Sequence, residues 1–145
     1  MSRIALVLPA LLLLLIVALP AQSQAPKSPY GAVPAEDAAK SNPVKSTAES
    51  LAKGKKWYGI DCAMCHGDTG DGKGDVAQDT KLQIVDFTDP ATLKSRTDGE
   101  MYWVIKNGHQ DMPPEGPRVK TDDLWNLVNY VRSLSKPKSE APQKP

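Results

Sequence analysis

Cys62-Ala63-Met64-Cys65-His66 is the stretch of this chain whose residue types and spacing point most directly to chemistry. It contains both cysteines of the 145-residue sequence and one of its two histidines. Four chemistries compete for such a pattern. A structural zinc site needs four ligands and usually a second pair of Cys or His, yet only His109 is left to contribute. A thioredoxin-like redox pair follows a strand in a βαβ unit, and the sequence shows no such unit. A disulfide across Cys-x-x-Cys closes a small, strained loop that adds little to folding. Covalent attachment of c-type haem requires nothing that is missing. Cysteines three residues apart lie on one face of a helical turn, placed to form thioethers with the two vinyl groups of one porphyrin. His66 then follows as the proximal iron ligand. The haem reading is the one the residues favour.

The elements that must position these residues can be read in outline. Residues 1 to 25 read as a secretory signal peptide: Arg3 is followed by an apolar run from Ile4 to Leu19, then by a helix breaker and small residues ending at Ala25. The run is shorter than the roughly 20 residues a spanning helix needs. Export to an oxidising, periplasmic compartment is therefore expected, with membrane tethering if the signal is retained. Residues 26 to 47 carry Pro26, Pro29, Pro34 and Pro43 among Ala, Ser and Lys, and read as an extended or disordered linker. The tail from 136 to 145 has the same character. Basic and acidic residues nearly balance, 18 against 17, and no basic run suggests a nucleic-acid partner.

Residues 48 to 135 form the candidate domain, and this whole chain contains just one Phe. So few large apolar groups make a thin core, which an apolar macrocycle at its centre would fill. A first helix is expected from about Thr47 or Ala48 to Ile60. A second opens on the capping box Thr97-Asp98-Gly99-Glu100 and stops at Gly108. It carries Met101, Val104 and Ile105 inward. A third opens on Thr121-Asp122-Asp123, where carboxylates favour the positive helix end. Leu124, Leu127, Val128, Val131 and Leu134 then form an i, i+3, i+4, i+7 stripe. No stretch alternates over strand length, so the fold class is all-α. Asp61, Asp68, Asp71 and Asp75 read as a solvated acidic loop, since their spacing fits no standard calcium loop.

Over residues 48 to 135 the chain resembles the monohaem class I c-type cytochromes. The resemblance extends past "CAMCH". "GKKWY", ending at Tyr58, is similar to the family's first helix, with Gly54 allowing a close crossing by the last helix and Tyr58 packing on it. Leu127 and Tyr130 in "LWNLVNYVRSL" look like the partners there. "CHGDTGDGKG" resembles the glycine-rich turn after the histidine, and "NGHQDMPPEG" the distal-ligand loop. The chain departs from the family in having no proline between His66 and Pro90. The carbonyl that accepts the proximal histidine's other N–H is instead expected from residues 74 to 84.

The resemblance implies the cytochrome c fold, with three or more helices packed around one covalently attached haem c. It also implies His66 and Met112 as axial ligands. The residues agree as far as they go. Met64 lies inside the attachment loop, and Met101 lies on the apolar face of a helix. Met112 sits in a loop stiffened by Pro113 and Pro114. His109, in the same loop, is the rival ligand, and an open position is the third alternative. Trp57 and Trp125 are expected to pack between helices, and Tyr102 or Trp103 to donate to a haem propionate. The function implied is one-electron transfer in a periplasmic respiratory or oxidative chain by a carrier that is not itself an enzyme, serving donor and acceptor redox proteins. The alternatives are a haem catalyst or sensor with an open distal position, and the cytochrome subunit of a membrane-associated oxidoreductase.

Overall fold

Three sequence signals, two caps and one apolar stripe, frame the architecture in the computed structural model, which describes residue 31 and residues 33–135. The expected signal peptide and the 136–145 tail lie outside the described residues. The helices are α1 (Ala35–Ala38), α2 (Ala48–Trp57), α3 (Ala63–His66), α4 (Asp75–Thr80), α5 (Pro90–Lys94), α6 (Asp98–Asn107) and α7 (Thr121–Leu134). A π-helical turn, Tyr58–Cys62, joins α2 to α3. Among the described residues the only β-type pairing is an isolated bridge between His109 and Met112. The all-α expectation is met.

α2 and α6 each start at a threonine cap. The Thr47 hydroxyl accepts from the Ser50 amide at the head of α2. At α6, Thr97 and Glu100 form both bonds of the capping box, which satisfies amides that have no intrahelical partner. The stripe on α7 is buried over its first four positions, Leu124, Leu127, Val128 and Val131, each no more than 5% exposed, and half-buried at Leu134. Each such side chain contributes about 1.5–3 kcal/mol on burial. Met101 and Ile105 of α6, Leu93 of α5 and a stacked Tyr102–Trp125 pair, ring centroids 4.1 Å apart, complete this layer.

The crossing of α2 over α7 depends on Gly54. A Cβ at that position would lie 2.2 Å from the Asn126 carbonyl oxygen, well inside contact distance, so only glycine allows this approach. One turn on, the Tyr58 ring meets Tyr130 edge-on with centroids 5.2 Å apart. Both contacts match the expectation.

The 26–47 stretch differs from its reading as a linker. From residue 33 onward it is a docked strap. α1 sits on the start of α6: the Thr97 hydroxyl donates to the Ala38 carbonyl at 2.6 Å. Asn42 donates to the Trp125 carbonyl at 3.1 Å and to Asn129 Oδ1 at 3.0 Å. Asn129 in turn donates to the Val44 carbonyl and to Ser50 Oγ, and Val44 packs against the core. The prolines and small residues that suggest disorder are compatible with order here because the anchoring is polar and long-range. Among the described residues no helix is long and apolar enough to cross a membrane.

Candidate cofactor site

α2, the π-turn and α3 run without a break into the Cys-x-x-Cys-His segment. A π-turn inserts one residue, which re-aims whatever follows by about 100° around the helix axis. The face that α2 buries against α7 is therefore not the face on which Cys62, Cys65 and His66 emerge. The sequence reading carried the helix to Ile60 and gave no sign of the wider turn.

The glycine-rich stretch closes the end of this segment. The Gly72 amide donates to the His66 carbonyl at 2.8 Å and the Gly74 amide to the Cys65 carbonyl at 3.2 Å. Gly72 has φ 75°, and a Cβ there would lie 2.6 Å from the Ile84 carbonyl oxygen. Conformation and space thus both require glycine. The turn wedges the attachment segment against the irregular stretch around Ile84. Tyr58 Oη donates to the Gly67 carbonyl at 2.8 Å and ties the same corner to α2.

His66 stacks on Phe87, with ring centroids 4.7 Å apart and planes 17° from parallel. The chain's single Phe is therefore placed to fix the imidazole plane, a role its position outside any periodic element did not reveal. Burial pushes the His66 pKa down to about 4, so the ring is neutral at pH 7. Its Nδ1 is buried without a hydrogen-bond partner among the described residues. The expected carbonyl acceptor from residues 74 to 84 is thus not engaged, and this stacking takes its place in orienting the ring. A neutral, buried imidazole that lines the cavity fits a metal ligand.

Cys62, Cys65 and His66 line one cavity of about 410 Å³, within the size range of cofactor sites. Leu82, Ile84, Val85 and Val104 supply apolar wall, and Met112 and His109 enter from the loop after α6. That loop is tightly wound: His109 and Met112 exchange backbone bonds of 3.0 and 2.9 Å, and Gln110 between them has φ 51°. Glu115 and Gly116 anchor it by donating to the Ile105 and Lys106 carbonyls. Met112 also packs against the hydrophobic core. Tyr102 is drawn instead into its stack with Trp125, and neither it nor Trp103 lines this cavity.

Both cysteines are free thiols. Burial, reinforced by the nearby carboxylates of Glu115 and Asp61, pushes the Cys62 pKa up to about 12. Cys62 is therefore held as the thiol at neutral pH. Among the described residues no group of three or more His, Cys, Asp or Glu could hold a metal ion. What the cavity offers is two thiols, a neutral imidazole, a thioether and apolar walls, a donor set that fits haem. Sequence reasoning missed one further group, which pairs with two carboxylates of the cavity wall. Arg118 bridges Asp61 and the buried Glu115, residues far apart in the chain and in no recognisable motif.

Residues 49–131 match the family described as cytochrome c oxidase, cbb3-type, subunit III. None of the curated proteins matches the chain. Among solved structures, the chain is similar to one in the reducing HAO-like protein complex Kustc0457/Kustc0458 of Kuenenia stuttgartiensis, at 27% identity and TM-score 0.58. That match covers 65% of this chain and 47% of the other, so this chain spans about half the neighbour's length. A c-type cytochrome, KustC0563, is similar at 26% identity and TM-score 0.52, over 57% of this chain and 98% of its own.

Proposed function

Because the chain belongs to the cbb3-type cytochrome c oxidase subunit III family and is an electron-transfer haem protein of the class I cytochrome c type, we propose that it is a one-electron carrier with one haem c held by His66 and Met112. The observation that carries the reading is the convergence of Cys62, Cys65, His66 and Met112 on one apolar cavity. Bound haem supplies an iron centre that exchanges one electron between its ferrous and ferric forms. Cys62 and Cys65 fix the macrocycle through their sulfurs. His66, held neutral by burial and oriented by Phe87, offers a nitrogen lone pair. Met112 offers a thioether, which favours ferrous iron and a high potential. Leu82, Ile84, Val85 and Val104 would pack an apolar wall against the haem.

Catalysis is not part of this proposal, because His66 and Met112 would both be engaged in holding the haem. The compartment proposed is the periplasm, and the partners are donor and acceptor redox proteins. A second reading, the cytochrome module of a larger oxidoreductase, is favoured by the family's description as an oxidase subunit and by a neighbour that comes from a protein complex. The test is twofold. The ferric protein should show a six-coordinate low-spin spectrum, and its haem should survive denaturation in the parent but not in Cys62→Ala with Cys65→Ala. A high-spin ferric spectrum would replace the carrier by a haem catalyst or sensor. Co-purification from membranes with a dehydrogenase or reductase would favour the module.

A further inference from the structure

The geometry points to Arg118 as a positioning residue that clasps the distal loop to the haem-attachment segment. This rests on the reading of Met112 as the distal ligand. Arg118 Nη1 donates to Asp61 Oδ1 at 3.0 Å, and Nη2 donates to both oxygens of Glu115 at 2.9 and 2.7 Å. Asp61 immediately precedes Cys62, and Glu115 follows Met112 by three residues. One guanidinium therefore joins the segment that carries the thiols to the loop that carries the thioether. Both carboxylates line the cofactor cavity.

Exposure distinguishes this bridge from an ordinary surface pair. The Arg118 side chain is 55% exposed, but those of Asp61 and Glu115 are only 13% and 4% exposed. Exposed ion pairs contribute little, whereas removing the cation from a buried carboxylate leaves an uncompensated charge. Glu115 can relieve that charge by taking up a proton or by moving toward water. Its carbonyl accepts from the amides of Arg118 and Val119, so the turn would move with it and slacken the loop behind Met112. The planar guanidinium engages two carboxylates through different nitrogens, a geometry that a lysine ammonium does not reproduce.

The experiment uses the haem-loaded full chain and reads the rate at which azide binds the ferric protein, together with the iron–sulfur charge-transfer band. Arg118→Gln and Asp61→Asn should each accelerate azide binding by about tenfold, as expected when a partly buried charge pair is cut. The double variant should be no faster than the faster single one, since both cut the same tether. Arg118→Lys should recover part of the parent's slow rate. Asp61→Asn is nearly isosteric, so it keeps the test open if the Arg118 variants do not fold. A pure charge effect would make azide, an anion, bind more slowly to Arg118→Gln and faster to Asp61→Asn. Opposite directions, additive effects or unchanged rates would each overturn the clasp. Met112→Ala is the reference. If it accelerates azide binding while the clasp variants do not, the clasp alone fails. If it leaves band and rate unchanged, the ligation reading fails and the clasp with it.

Discussion

The hydroxyl of Tyr58 donates to the carbonyl of Gly67, the residue directly after His66, at 2.8 Å. Tyr58 is 2% exposed, so this is a buried bond, and its loss leaves the Gly67 carbonyl with the Gly70 amide as its remaining donor. Tyr58→Phe keeps the ring contact with Tyr130 and removes only this bond. The holoprotein should lose about 0.5–1.5 kcal/mol of stability, read as a lower denaturant midpoint with an unchanged slope. An unchanged midpoint would mean that water replaces the hydroxyl freely.

Gly54 and Gly59 make a matched pair. A Cβ at Gly54 would collide with the Asn126 backbone, whereas one at Gly59 would meet nothing within 4 Å. Gly54→Ala should force α2 off α7 and cost about 1–3 kcal/mol or more. Gly59→Ala should be neutral or stabilising by up to about 1 kcal/mol, because it restricts the unfolded chain. Thermal unfolding of the two variants checks the contrast.

Met112 and His109 line the same cavity, and Met112 also packs against the core. Met112→Ala should abolish the ferric iron–sulfur band. It should also lower the potential by roughly 100 mV or more, a fraction of the ~0.8 V over which axial ligands set haem potentials. His109→Ala should leave band and potential close to the parent's. The reverse pattern, in a redox titration of both variants, would make the iron bis-histidine.

The strap should contribute to stability. Asn42→Ala removes the bonds to the Trp125 carbonyl and Asn129 Oδ1, and should cost about 1–3 kcal/mol. Deleting residues 33–46 should cost more while sparing covalent haem. Equal melting temperatures for the parent and the deletion would show that the strap is dispensable.

Local physics made much of this structure legible in the sequence. The capping box at Thr97 and Glu100, the apolar stripe of α7 and the close approach at Gly54 are decided by neighbours a few residues away or by the absence of a side chain. The Cys-x-x-Cys-His cluster declares its chemistry for the same reason. What escaped the sequence depends on partners distant in the chain. Asn42 reads as a loop residue until Asn129 is seen beside it, and Arg118 as a surface cation until Asp61 and Glu115 are. Phe87 gains its meaning from the His66 ring it faces. The short helices α4 and α5 carry too few turns for a periodic signal, and the π-turn leaves none, because its widening is set by packing on both sides.

The docked strap also fixes how the domain would bear load. A pull on the chain upstream of residue 33 first meets α1 on α6, held through Thr97 and Ala38, and then the Asn42 bonds to α7. Only beyond these does it reach Ala48, where α2 begins. Tension is thus shunted into two helices that carry neither thiol nor imidazole. The Cys-x-x-Cys-His segment lies mechanically downstream of the anchor and would be shielded from any traction applied from the amino-terminal side.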